Sequence, residues 1–465
     1  MKTISAVLIL LLISFSVSAQ QLDLSALSKS ESGKRVLAYF TAFNSGDEQK
    51  LRDFFLENIA PNSLKQRPIE VRLEAHREMR TEFENLQIRR VLAVGDAEVK
   101  VLTESKKGLW LVYTFAFENQ PPHKMLGLRN EDTEPPDADE KPKYAAPTTR
   151  AEFLSTVEKF LNDKVQADEF SGVVLIAEKD KPIFSKAYGL ANKETKQSNL
   201  LDTKFNLGSI NKIFTKVALG QLAQQGKISF DDKLIKYFPD YPNKEAAEKI
   251  TIRHLLAMKS GIGDIFNEKF DAMREKLRTN NDYLPLFINN PLEFEPGTNQ
   301  RYSNGGYVLL GAIIEKVSGK SYYEYVRENI FKPAGMTNTD SFEFDKMPAG
   351  SAEGYTKRGT SGKWTNNIGT RPARGSAAGG GYSTAADLLK FSLALQSRKL
   401  NVPDENGQPQ KDVMNGIAGG ADGINALLLV NGQTGQTIIV LSNYDPPSAT
   451  KTGAQLRDWL KQIKQ

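Results

Sequence analysis

Between Asn130 and Thr148 the chain passes through a stretch that cannot enter a core. It carries Pro135, Pro136, Pro142 and Pro147 among a run of charged side chains. Proline removes a backbone donor and fixes φ, and unpaired charges resist desolvation. Residues 131–148 therefore read as an extended linker, which forces two separately folding blocks, 22–130 and 149–465.

Either block is long enough to bury a core. Apolar residues make up 40% and charged residues 25%, the balance of a globular chain and not of a disordered one. The 61 basic and 56 acidic residues are interspersed, with no dense Lys/Arg stripe, which argues against a nucleic-acid partner. No cysteine is present, so disulfides, thiolate nucleophiles, iron–sulfur clusters and a lipid-bearing cysteine anchor are all excluded. The three histidines, His76, His123 and His254, show no paired metal-ligand spacing, and no metal or cofactor is expected.

The amino terminus reads as an export signal, residues 1–19. Lys2 supplies positive charge, Ala6 to Phe15 an apolar core, and Val17-Ser18-Ala19 a small-residue cleavage site before Gln20. The alternative is an uncleaved membrane anchor. After cleavage no stable membrane span is expected, and the protein is expected to be periplasmic or secreted.

In the block 22–130, Val36, Leu37, Phe40 and Phe43 place a helix over Ser32 to Phe43. Asp47, after the Asn44-Ser45-Gly46 turn, can cap the next helix, which carries Leu51, Phe54 and Phe55. A third helix is expected over Pro68 to Leu86. Strands follow at Val91 to Val94, Ala97 to Leu102 and Leu109 to Phe117. Helices followed by antiparallel strands make this a small α+β domain. The turn Phe43 to Asp47 between helix and later strands resembles the nuclear transport factor-like (SnoaL-like) cone fold. His76 and His123 are expected at the surface. A small-ligand or dimerising role for this block is the third functional reading.

The block 149–465 opens with a helix capped at Thr148 or Thr149, with Phe153, Val157, Phe160 and Leu161 on one face. Strands are expected at Phe170 to Ala177 and Ile183 to Tyr188, and again at Ala426 to Val430 and Thr437 to Ser442. Helices fill the interval from Ser209 to about Leu393, and a terminal helix closes the chain. Strands at both ends with helices between predict an α+β fold whose single antiparallel sheet is built from the two ends.

The chemistry centres on Gly208-Ser209-Ile210-Asn211-Lys212. Ile210, Ile213, Phe214, Val217, Ala218 and Leu222 recur at helical spacing, so Ser209 starts a buried helix and Lys212 follows one turn later on the same side. A hydroxyl needs a base within hydrogen-bond reach to become a nucleophile. A lysine serves once burial lowers its pKa. The alternative is an N-cap serine with a solvated lysine. Tyr302-Ser303-Asn304 then precedes a helix through Val308, Leu309 and Ile313. A tyrosine beside such a lysine can shuttle protons, and an amide can hold a substrate.

Phe205 to Lys212, Gly226 to Lys233, Ile250 to Gly263, Pro296 to Gly319 and Gly379 to Thr384 occur in an order that resembles the class C β-lactamase and penicillin-binding-protein family, across nearly all of 149–465. The resemblance implies an acyl-enzyme on Ser209, with Lys212 as base, Tyr302 in proton transfer and Asn304 orienting the substrate. It also implies a late strand bearing K-T-G or H-x-G. The matching place is Gly416 to Ala426, where Ile417 stands instead of Lys or His. The oxyanion hole would then use backbone N–H groups of Ser209 and Gly420, with Gly419 beside them. Carboxylate recognition and the Lys–Tyr proton network are put in doubt. Lys451-Thr452-Gly453 follows the last strand and opens the terminal helix, where that motif does not belong.

The leading reading is an exported serine hydrolase acting on a D-alanyl peptide, a β-lactam or an ester. The alternative is an impaired relative that binds cell-wall peptide or a partner protein. Oligomeric state carries no sequence signal.

Overall fold

A computed structural model describes residues 24–133, 144–358, 362–401, 403 and 416–463. The expected export signal and most of the expected linker lie outside these residues. Among the described residues no helix is long and apolar enough to cross a membrane. The described residues form two compact units. The first is drawn from positions before 64 and from 72–134, the second from 64–71 and from position 135 onward.

In the first unit, helices Glu31–Ser45 and Glu48–Asn58 are set by their caps. Ser30 Oγ accepts from Gly33 N at 3.0 Å, and Asp47 Oδ1 accepts from Gln49 N at 2.9 Å. Helix Ile69–Phe83 follows, in this unit from Arg72 on, then four antiparallel strands paired in sequence order: Leu86–Val94, Glu98–Ser105, Trp110–Phe117 and Met125–Thr133. Aromatic rings fill the interior: Tyr39, Phe40, Phe43, Phe54, Phe55, Tyr113 and Phe115 are all buried.

Three expectations need correction here. The first strand begins at Leu86, five residues early, because Leu86 and Ile88 alternate inward where the sequence reads as the end of a charged helix. The fourth strand was not foreseen and runs to Thr133, past the expected linker start at 131; its Met-Leu-Gly-Leu-Arg-Asn-Glu-Asp-Thr sequence lacks a run of β-branched residues. His76 is buried, not at the surface. Its Nδ1 donates to Arg72 O at 2.7 Å, which leaves Nε2 to accept from the Tyr39 hydroxyl at 3.0 Å. Its polarity is satisfied internally, so burial is tolerated. His123 is half-buried, with Nδ1 donating to Glu118 O at 2.9 Å.

The second unit is built on one antiparallel sheet in the order Ile417–Ala421, Ile424–Asn431, Gln436–Ser442, Gly172–Glu178, Lys181–Tyr188. Both ends of the block contribute strands, as the α+β reading requires. Helix Arg150–Gln166, held by a capping box between Thr149 and Glu152, and helix Ser448–Leu460 cover one face. Phe153, Val157, Leu161, Leu456 and Trp459 pack there against Val174, Ile176, Leu427 and Val440. On the other face Val173, Leu175, Leu428, Ile439 and Leu441 meet Ile213, Phe214, Val217, Leu309, Leu388 and Phe391. Period-2 alternation in the strands thus feeds two cores, one above and one below the sheet. Residues 144–148, expected as linker, are tied down: Tyr144 donates to Asp163 Oδ2 at 2.8 Å and packs edge-on against Phe160 and Trp459.

Candidate active site

Strand Phe205–Asn206 pairs with Tyr382–Ser383 and leads into a 3-10 turn, Gly208–Asn211, which runs straight into helix Lys212–Gln224. Gly208 takes φ +49°, and a Cβ there would sit 2.9 Å from Gly420 N. The turn therefore presses Ser209 against strand Ile417–Ala421. Ile213, Phe214, Val217, Ala218 and Leu222 anchor the helix in the core and carry Lys212 down with it.

Lys212 is 3% exposed. Its Nζ lies 3.0 Å from Ser209 Oγ, 2.7 Å from Asn304 Oδ1 and 2.6 Å from Ala378 O. Three acceptors match the three donors of an ammonium. Burial nevertheless penalises the charged form and pushes the Lys212 amine down to about 7, against an upward pull from Asp264. Tyr302 Oη lies 2.5 Å from Ser209 Oγ, and Lys212 Nζ sits 4.7 Å from the centre of the Tyr302 ring. Burial raises the phenol above its ordinary value, so it is protonated at neutral pH.

Helix Asn304–Ser318 is capped by Ser303, whose Oγ accepts from Gly306 N at 2.9 Å and donates to Gly263 O at 3.0 Å. This places Asn304 across from Lys212. The Asn304 Nδ2 donates to both oxygens of Asp264, each at 3.0 Å. Sequence reasoning offered that amide to a substrate; in the structure its oxygen is on Lys212 and its nitrogen on a carboxylate. Asp264 was missed. The available signal was its position directly after the Ile250 to Gly263 stretch.

Gly419 and Gly420 stand on the outermost strand of the sheet. A Cβ on Gly419 would fall 2.0 Å from Leu207 O and 2.8 Å from Ser209 N. The Asp422-Gly423 turn sets Gly420 opposite Asn425. Asn425 Nδ2 donates to Gly419 O at 3.1 Å, and in a trans peptide the Gly420 N–H points the opposite way, off the sheet edge toward Ser209. Ile417 is half-buried against the helical core, opposite Leu428, and presents no polar group. Lys451-Thr452-Gly453 lies inside helix Ser448–Leu460, with Thr452 and Gly453 buried. His254 is half-buried and caps its own helix as part of a box with Thr251.

Ser209, Tyr302, Asn304, Gly419 and Gly420 all line one cavity of about 470 Å³, whose walls include Ile265, Phe266, Phe270, Ile424 and Pro446. The sequence pattern of the Beta-lactamase family matches residues 157–422. The chain belongs to that family.

Among curated relatives of this Beta-lactamase family chain, a penicillin-binding protein of Bacillus subtilis (strain 168) is 35% identical over 195 residues, 41% of each chain. The chain spans about two fifths of the length of the curated relatives it matches. Among solved structures, the penicillin binding protein from Bacillus halodurans is 30% identical with TM-score 0.56, covering 64% of this chain and 99% of that one. FmtA from Staphylococcus aureus shares the fold at 23% identity and TM-score 0.56, covering 70% of this chain and 92% of that one.

Proposed function

We propose that this protein is an exported serine hydrolase whose nucleophile is Ser209. The observation that carries the reading is the buried Lys212 amine, 3.0 Å from Ser209 Oγ and pushed down to about 7. At neutral pH a large fraction of such an amine is free to accept a proton.

Lys212 takes the Ser209 proton as Oγ attacks the acyl carbonyl. The oxyanion that forms is met by the backbone N–H groups of Ser209 and Gly420. As the intermediate collapses, Tyr302 passes a proton to the leaving alcohol or amine and regains one from Lys212. An ester remains on Ser209. Water, deprotonated along the same route, adds to that ester and releases the acid, restoring the serine.

Candidate substrates are D-alanyl peptides, β-lactams and esters. Ile417 offers no charge to a substrate carboxylate, and the Arg371 guanidinium that lines the cavity is already held by Glu353 and the Tyr382 hydroxyl, which favours neutral acyl groups over carboxylate-bearing ones. The binder reading rests on Ile417 and on the short segment between Gly381 and Gly416. It leaves unexplained a serine hydroxyl with a lysine amine 3.0 Å away and a phenol 2.5 Å away. Export rests on Lys2, the apolar core Ala6 to Phe15 and Val17-Ser18-Ala19.

A fluorophosphonate probe is expected to label the wild type and not Ser209→Ala, and Lys212→Ala is expected to abolish nitrophenyl-ester turnover. Equal labelling of both proteins would remove Ser209 from the mechanism. Turnover that survives Lys212→Ala would remove the base.

A further inference from the structure

Asp264 has no role in the acyl transfer just described, yet it is built into the site. It ends the Gly261-Ile262-Gly263 loop, which is held by Glu293 N donating to Gly261 O at 2.8 Å and by Ser303 Oγ on Gly263 O. Gly261 takes φ +75°, and a Cβ there would meet Phe294 O at 2.2 Å, so the loop has little room to move. The Asp264 carboxylate is fixed from its own chain by Ile265 N at 2.6 Å.

The donor and acceptor inventory then allows Asn304 only one orientation. A carboxylate only accepts, and the lysine, charged or neutral, has N–H groups to give. An amide between them must turn its oxygen to Lys212 and its nitrogen to Asp264, which is what the distances of 2.7 Å and 3.0 Å record. Swapping the two amide atoms would face donor with donor and acceptor with acceptor.

We propose that Asp264 is a positioning residue of this site: it holds the Asn304 amide with its oxygen on Lys212, and it supplies the negative charge that this buried amine feels through that bridge. The inference rests on the acyl-transfer reading for its catalytic meaning, not for its electrostatics. The groups facing Lys212 are Ser209 from its own turn, Tyr302, Asn304 and the Tyr307 ring at 5.5 Å, the Ala378 carbonyl, and Asp264 itself. Lys216 lies one turn along the same helix, and Glu293, paired with Arg301 at 2.6 Å, stands behind Asp264. Among these, Asp264 is the group that opposes the effect of burial on Lys212.

Asp264→Asn keeps an oxygen for Ile265 N and for the Asn304 amide while removing the charge. Asp264→Glu keeps the charge. Protein labelled with ¹³C at lysine Cε gives the Lys212 titration by NMR whether or not the enzyme turns over, with Lys212→Met to assign the resonance. The Lys212 midpoint is expected to fall by about 1 pH unit in Asp264→Asn and to stay near its wild-type position in Asp264→Glu. The acid limb of kcat/KM for ester hydrolysis should move by the same amount. A midpoint in Asp264→Asn equal to that of wild type overturns the proposal. Should Asp264→Asn fail to fold, Asp264→Ser carries the same titration. A shifted NMR midpoint without Ser209-dependent turnover would sink the acyl-transfer reading and leave this one standing. Turnover with an unmoved midpoint would do the reverse.

Discussion

Asn425 clamps Gly419 to the start of the closing helix. Its Nδ2 donates to Gly419 O at 3.1 Å, while its Oδ1 accepts from Ala449 N at 2.6 Å and Thr450 N at 3.0 Å. One buried amide thereby satisfies orphan donors of helix Ser448–Leu460 and turns the Gly420 N–H outward toward Ser209.

Asn425→Ala should therefore damage catalysis and stability together. With the peptide free to rock, kcat for a nitrophenyl ester is expected to drop at least about 10-fold with KM little changed. The bared helix N–H groups are expected to cost roughly 1–3 kcal/mol in urea unfolding. An Asn425→Ala protein with wild-type kcat would show that the Gly420 N–H does not need this clamp.

Gly419→Ala tests how closely the sheet edge meets the nucleophile turn. The added methyl would lie 2.0 Å from Leu207 O and 2.8 Å from Ser209 N, both backbone atoms that cannot swing aside. Turnover is expected to fall at least about 100-fold and stability by about 1–3 kcal/mol. Near-normal labelling of Ser209 by a fluorophosphonate in this variant would contradict that approach.

The pH dependence follows from Lys212. Its neutral form is the base, so kcat/KM should rise with pH through a midpoint at about 7 and level off above it. Stability moves the same way. The folded amine loses its proton near 7 and the unfolded one near 10.5, so the unfolded state binds more protons between these values and stability gains as pH rises through that window. In Lys212→Met this gain disappears, which thermal melts at pH 7 and pH 9.5 would read as a loss of the wild-type pH slope. A rate that falls as pH rises from 6 to 8 would argue against lysine as the base.

His76→Leu addresses the first unit. It leaves the buried Tyr39 hydroxyl without the acceptor now 3.0 Å away. A loss of about 1–3 kcal/mol is expected. His76→Leu together with Tyr39→Phe should recover part of it, because both partners of the pair are then apolar. No loss in the single variant would mean that the hydroxyl finds another acceptor.

Much of this was legible in one dimension. The step from Ser209 to Lys212 follows from helical pitch, and the apolar spacing around it announces a buried helix. Strands at Gly172–Glu178 and Gln436–Ser442 are long apolar runs, readable as buried on both faces. Strand Met125–Thr133 was not legible, since its sequence is mostly polar or small. His76 was misread because nothing near it in sequence forecasts a hydroxyl 37 residues away.

Local periodicity thus accounts for the helices and long strands of the second unit and for the serine–lysine step, since each follows from contacts within a few residues; the glycine-rich edge strand was expected from the family resemblance alone. Folding in three dimensions set the protonation of that lysine. The Asn304 oxygen comes from 92 residues along the chain and the Ala378 carbonyl from 166. Asp264 is hydrogen-bonded to that amide and acts on Lys212 through space, and Asn425 meets Gly419 because a two-residue turn sets the register. The physical reason is that desolvation and charge act through space: an amine's affinity for a proton depends on what packs around it, and packing between distant segments leaves no mark in the spacing of residues.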